Sequence, residues 1–153
     1  RIGHLAGPQT VSTGLWRREG FERAMGEGAD APVAVASAYD RTAGERAAGE
    51  LLDRGGLTAI ACANDLLALG TLAAARKRGL RCPADLSIVG YNDMPLIDIL
   101  DPPLTSIRIS SEEMGRAAGL RLLRALSGEP GLHDRTVVQP DLVIRGSTAP
   151  PVG

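Results

Sequence analysis

The sequence contains no long apolar run, few cysteines and almost no lysine. Each shortage excludes or disfavours a class of protein or bears on its origin. A membrane-spanning helix needs about 20 consecutive apolar residues, and the 153 residues contain no such run. The two cysteines, Cys62 and Cys82, are too few for a disulfide framework and favour a reducing compartment. Lys77 is the only lysine among 17 basic residues, a bias that we attribute to a GC-rich genome.

The overall composition is that of a globular domain without a nucleic-acid-binding surface. Hydrophobic residues make up 44% and charged residues 23% of the chain, and its length suits one domain. The formal net charge of −1 provides no basic patch for DNA. The chain starts at Arg1 without a methionine or a signal peptide, so we expect it to be a piece of a longer protein.

Short apolar runs alternate with helical periods along the chain. We predict helices at Thr13–Met25, Arg41–Arg54, Leu66–Arg78 and from Ser110 or Ser111 to about Leu126. We predict strands at Ile2–Ala6, Val33–Ser37, Thr58–Ala63, Leu86–Gly90, Leu104–Ile109, Arg135–Gln139 and Leu142–Arg145. This alternation implies a mostly parallel, doubly wound α/β sheet. A buried stripe is predicted on the first helix at Trp16, Phe21, Ala24 and Met25.

Polar residues follow successive predicted strands, where open parallel sheets bind their ligands. The candidate binding residues are Arg17, Tyr39, Asn64, Asn92 and Asp93. Such a set suits a small polyhydroxyl or heterocyclic ligand held by hydrogen bonds and stacking. Each residue also has a structural interpretation: a solvated helix residue for Arg17, a spacer for Tyr39, a helix cap for Asn64 and turn hydrogen bonds for Asp93.

The sequence lacks the patterns that usually mark a catalytic or metal centre. His4 and His133 have no cysteine or carboxylate at metal-ligand spacing, so we expect no metal. No serine lies in a nucleophile elbow, and no glycine-rich phosphate loop occurs. Cys62 fits a small core residue of the third strand. We therefore expect no cofactor and no enzymatic activity.

Several phrases, taken together, resemble the lac repressor (LacI/GalR) family of bacterial transcription regulators. They include Leu5-Ala6-Gly7-Pro8, Ala63-Asn64-Asp65, Ile88-Val89-Gly90-Tyr91-Asn92-Asp93 and Pro102-Pro103-Leu104-Thr105. The resemblance runs from Arg1 to about Thr148. It implies a periplasmic-binding-protein-like fold of type I, in which a small-molecule effector binds between two α/β subdomains.

The resemblance also implies a division of the chain. Residues 1–110 would form the C-terminal effector-binding subdomain, and residues 111–139 a crossover helix and strand of the N-terminal subdomain. Residues 140–148 would return to the C-terminal subdomain, and residues 149–153 would form a tail. The helix-turn-helix that binds DNA in this family, and most of the first subdomain, would lie outside this chain.

By resemblance, Arg17 and Asn64 match effector-contacting residues, and Tyr39 lies where an aromatic ring stacks on the ligand. Asn92 stands where the family usually has an aspartate that accepts two hydroxyls, and an amide carries no charge. Ile109 stands where a glutamine is common, so this wall is less polar than in sugar-binding relatives. Positions at the family's dimer interface correspond to Leu69, Ile97 and Leu100, which could also be ordinary core residues.

Three functions remain open at this point. The first is an effector-binding and dimerisation domain of a cytoplasmic regulator, which would bind a sugar or related polar metabolite and form a homodimer. The second is an extracytoplasmic sugar-binding protein of a transport system, which has the same fold. The third is an enzyme on the same scaffold, since a fold does not fix a function. The sequence upstream of Arg1 would separate the first two, as a helix-turn-helix or a secretion signal.

Overall fold

A computed structural model describes residues 1–128 and 135–151 of the chain. The strands are β1 (Ile2–Ala6), β2 (Val33–Val35), β3 (Ala59–Cys62), β4 (Ser87–Asn92), β5 (Thr105–Arg108) and β6 (Asp141–Val143). The helices are α1 (Ser12–Met25), α2 (Arg41–Leu52), α3 (Asp65–Lys77) and α4 (Ser111–Leu126). They form one sheet of order β2-β1-β3-β4-β5-β6, in which only β6 runs antiparallel to its neighbour. The expected mostly parallel α/β sheet is therefore confirmed.

The main core lies between the sheet and the pair α2 and α3. Leu5, Ile60 and Ile88 project from neighbouring strands into this core, where Leu51 and Leu67 of the two helices cover them. Helix α1 lies on the opposite face, where Phe21 stacks on the ring of His4 with centroids 4.8 Å apart. Both faces thus carry helices, but the described α1 side is only partly covered.

Side-chain oxygens fix where the helices begin. Asp40 accepts a hydrogen bond from the backbone N–H of Ala43 at 2.8 Å, and so caps α2. Ser110 caps α4 by accepting from the N–H of Glu113 at 3.2 Å. These caps satisfy backbone donors that have no partner within the helix, and they agree with the predicted helix starts to within a residue or two.

Two sequence-based predictions about local structure are wrong. Arg135–Gln139 forms no strand, because its backbone pairs with no neighbour among the described residues, and a lone extended segment gains no ladder hydrogen bonds. The predicted buried stripe of α1 also fails, since Trp16 is 65% exposed and Ala24 is exposed as well. The spacing of apolar residues in α1 does place them on one face of the helix, but β1 covers only part of that face.

Helix α4 buries none of its residues within the described structure. Its exposed apolar side chains are Met114, Leu120, Leu122, Leu123 and Leu126. An apolar face of this size is costly to leave in water and typically marks a contact surface. In the described residues, no helix is long and apolar enough to cross a membrane.

Close packing of α2 against α3 depends on glycine. A Cβ on Gly70 would lie 2.4 Å from the backbone N of Glu45 and 2.5 Å from the carbonyl oxygen of Arg41. A Cβ on Gly115, in α4, would have nothing within 4 Å. Because backbone atoms cannot move aside as a flexible side chain can, Gly70 is the one of these two glycines that must remain without a Cβ.

The two glycines form a matched pair of tests. Gly70→Ala should lower the free energy of unfolding by about 2 kcal/mol or more, because α2 and α3 must separate. Gly115→Ala should leave it unchanged or raise it by up to about 1 kcal/mol through helix propensity. Urea unfolding followed by circular dichroism measures both, and equal stabilities for the two variants would contradict the packing described.

Candidate effector site

Arg17 joins the carboxyl ends of β3 and β4. Its guanidinium donates from Nη1 to the carbonyl oxygen of Ala63 and from Nη2 to Oδ1 of Asn92, the latter at 3.3 Å. It also lies over the ring of Tyr91, with Cζ 3.8 Å from the centroid. Hydrogen bonds and a cation–π contact therefore hold one charged side chain at the edge where the topology places a ligand.

Asn64 combines a capping role with a position at this edge. Its Oδ1 accepts from the N–H of Leu67 at 2.9 Å and caps α3, and the residue is only 7% exposed. The structural interpretation of Asn64 is thus correct. Its Nδ2 makes no hydrogen bond to the described residues and remains available as a donor.

Tyr39 lies beside the loop that follows β1. A Cβ on Gly7 would come within 2.2 Å of the Tyr39 ring, so the ring packs directly against the glycine backbone. The Tyr39 hydroxyl lies 3.4 Å from Oγ1 of Thr13, at the start of α1. The structure therefore brings Tyr39, like Arg17 and Asn64, to the carboxyl-end edge of the sheet.

Asp93 has both carboxylate oxygens engaged by arginines. Oδ2 accepts from Nε of Arg108 and Oδ1 from Nη1 of Arg145, each at 2.7 Å, and the Asp93 side chain is 5% exposed. Burial alone would raise the pKa of Asp93, but the hydrogen bonds from the two arginines outweigh it and hold that pKa below its usual value. These contacts favour a structural role, while direct ligand binding by Asp93 stays a prediction.

A second internal carboxylate, Asp65, holds the start of the loop after β4. It is fully buried, and it accepts from the N–H of Met94 at 2.8 Å and from the hydroxyl of Ser106 at 2.6 Å. The sequence analysis assigned no role to Asp65, and it missed Arg108 and Arg145 as site residues. It is the register of the structure, in which Asn92 pairs with Arg108, that places an arginine next to Asp93.

A groove of about 520 Å³ extends from Arg17 along the α1 side of the sheet. Trp16, Phe21 and Tyr91 line it, together with His4. His4 contacts the carbonyl oxygen of Ala61 through Nδ1 at 2.7 Å, while its buried Nε2 has no hydrogen-bond partner among the described residues. Burial lowers the pKa of His4, which favours the neutral ring.

The residues predicted at a dimer interface differ in exposure. Leu69 and Leu100 are half-buried, whereas Ile97 is 3% exposed and belongs to the core. Beside them, Leu96 and Ile99 are exposed. Leu69 and Leu100 are thus accessible at the surface. Ile97 is not, and its interpretation as a core residue fits its position.

Side chains that could bind a metal ion do not gather in residues 1–128 and 135–151. Within those ranges no three His, Cys, Asp or Glu side chains come together, and His133 lies outside them. Burial raises the pKa of the Cys62 thiol to about 12, so it stays protonated and unreactive.

Comparison with known proteins assigns the class. The sequence pattern of the periplasmic binding protein-like domain matches residues 1–148, and the chain belongs to this family. Its particular resemblance to regulators of the lac repressor family is confirmed as well. The regulator reg1 of Streptomyces lividans is 42% identical over 97% of the chain, which covers 45% of reg1. The chain therefore spans about half the length of the curated relatives that it matches.

Solved structures agree with this assignment. A dimeric lac repressor with a C-terminal deletion superimposes with a TM-score of 0.89 at 29% identity, over 99% of this chain and 56% of that one. A LacI family regulator from Arthrobacter, in complex with lactose, gives a TM-score of 0.81 at 29% identity, over 97% of this chain and 56% of that one.

The ion pairs of Asp93 make stability depend on pH. Because its folded pKa is depressed, the stabilisation is present above the unfolded value of about 3.9 and is lost as the pH falls through the folded pKa. Asp93→Asn should cost about 2–3 kcal/mol at pH 7, and the difference from the parent protein should shrink below about pH 4.

Asp101→Asn is the control, since the Asp101 carboxylate is exposed and makes no hydrogen bond to the described residues. Urea unfolding of the parent and both variants from pH 7 to pH 3 gives the comparison. A deficit in Asp93→Asn that stays constant with pH would contradict the ion-pair explanation.

Proposed function

We propose that this chain is the effector-binding and dimerisation domain of a bacterial transcriptional regulator of the lac repressor type, and that its effector is sugar-like. The observation that carries the proposal is the Arg17 guanidinium, which is fixed between Ala63 and Asn92 at the edge where Asn64 and Tyr39 also lie. The family assignment and the lactose complex of a relative support a sugar-like ligand.

The effector acts by shifting a population of conformations. Bound between this subdomain and a second one, it favours one closure angle, and that angle is passed through the dimer to the DNA-binding heads. A ligand can shift this equilibrium only as far as it binds the two states differently. Arg17 suits this role because it already links two strands and needs little rearrangement on binding.

The proposal extends to the complete protein as follows. The complete protein is a cytoplasmic homodimer without enzymatic activity, and it contacts DNA through a helix-turn-helix outside residues 1–153. Residues 111–139 belong to the second subdomain, which covers the exposed apolar face of α4, and residues 140–148 return to the first. The exposure of Leu122, Leu123 and Leu126 supports this division.

An extracytoplasmic sugar-binding protein of a transport system is the second candidate, because it shares the fold. The similarity to transcriptional regulators such as reg1 favours the regulator. The two free cysteines also fit a reducing compartment better than an oxidising one.

Replacement of Arg17 tests the proposed site. In the complete protein, Arg17→Ala should weaken effector binding by about tenfold or more, because a charged hydrogen-bond donor is lost. Arg18→Ala is the matched control, since Arg18 pairs with Glu22 on the surface of α1 at 2.8 Å. Calorimetry with a sugar found by thermal-shift screening provides the affinities, and equal affinities for both variants would refute the site.

The dimer surface is tested by adding charge to it. Leu69, Leu72, Ile99 and Leu100 line one shallow groove on the outer side of α3. Leu69→Asp together with Leu100→Asp should yield monomers of the complete protein, because a buried unpaired charge opposes association. Leu15→Asp, on the opposite face of the sheet, is the control. Sedimentation shows the result, and a double variant that stays dimeric at micromolar concentration rules this interface out.

A further inference from the structure

Arg17, Asn64 and Asn92 all turn N–H groups toward the site. A guanidinium carries only N–H donors, so the atom of Asn92 that faces Arg17 must be the oxygen, Oδ1. For the same reason the atom of Asn64 that faces the N–H of Leu67 is Oδ1. The free end of each amide is therefore its NH2 group.

One carbonyl and two carboxylates near these residues are engaged within the fold. The carbonyl of Ala63 already accepts from Arg17. Asp65 accepts from Met94 and Ser106, and Asp93 lies between two arginines. Among the described residues, the cluster of Arg17, Asn64 and Asn92 thus has free N–H groups and no free carboxylate.

This pattern is unfavourable for an uncharged sugar. A sugar hydroxyl donates one hydrogen bond and can accept two, and a ligand whose buried hydroxyl proton finds no acceptor loses affinity. A carboxylate or phosphate oxygen only accepts, and it does so with charge assistance from a guanidinium. The three side chains match the second kind of group and not the first.

We infer that the effector is an acidic sugar derivative, whose carboxylate or phosphate oxygens contact Arg17, Asn64 and Asn92. This inference rests on the proposed function and narrows its ligand class. The resemblance gives an aspartate at the position of Asn92, which would supply the acceptor that a neutral sugar needs. The single amide at this position therefore changes the site from one that accepts sugar protons to one that binds an anion.

The experiment compares matched ligands on the complete protein. Calorimetry at constant ionic strength measures the affinities for glucose, galactose, maltose and trehalose, for the 6-phosphates of glucose, galactose and trehalose, for glucuronate and galacturonate, and for inorganic phosphate. An acidic sugar should bind at least about tenfold more tightly than its neutral parent and than inorganic phosphate. The uronates and the sugar phosphates distinguish the two sources of the anionic group.

Asn92→Asp is the decisive variant, and Asn92→Ser is its uncharged control. Asn92→Asp should lower the affinity for the acidic sugar by about tenfold or more and raise that for the neutral parent, because a carboxylate repels the anion and accepts hydroxyl protons. Asn92→Ser should not produce this exchange. Thermal unfolding of both variants shows that they are folded.

The outcomes separate this inference from the proposed function. If a neutral sugar binds as tightly as its acidic derivatives, the inference is wrong and the proposed function stands. If inorganic phosphate alone matches the sugar phosphates, the sugar contributes nothing and the inference also fails. If no sugar of either kind binds, the sugar-like effector of the proposed function fails as well.

Discussion

The position of the Arg17 guanidinium determines which atoms the strand ends present to a ligand. Arg17 lies on α1, yet it bonds to Ala63 beyond β3 and to Asn92 at the end of β4. These segments are far apart in the chain and meet only because the parallel sheet places β3 beside β4. The contact fixes which atoms the strand ends present to a ligand, and the chemistry of the site follows from it.

Two internal carboxylates near this contact are satisfied by hydrogen bonds or by opposite charges. Asp65 is buried beneath Met94 and Ser106, and Asp93 is held by Arg108 and Arg145. A buried carboxylate is tolerated only when hydrogen bonds or opposite charges satisfy it. Because these acidic groups are committed within the fold, they position the loop after β4 and leave the strand ends with donors.

The sequence predicted those elements whose causes are local. Strand β1 has the predicted bounds Ile2–Ala6, and Asn64 caps α3, as its structural interpretation predicted. The failures have distant causes, since a strand at Arg135–Gln139 would need a neighbour to pair with, and Trp16 would need a covering layer. The ion pair of Asp93 with Arg145 also could not be predicted from the sequence, because Arg145 lies 52 positions away along the chain.

The orientation of Asn92 in the effector-free protein tests the central claim most directly. A neutron crystal structure of the complete protein distinguishes the amide oxygen from the NH2 group. The account predicts that Oδ1 of Asn92 faces Arg17, that the guanidinium stays over Tyr91, and that Nδ2 carries its two hydrogens toward the cleft. An Arg17 side chain directed into solvent, or an Asn92 amide that turns its oxygen to the cleft, would contradict it.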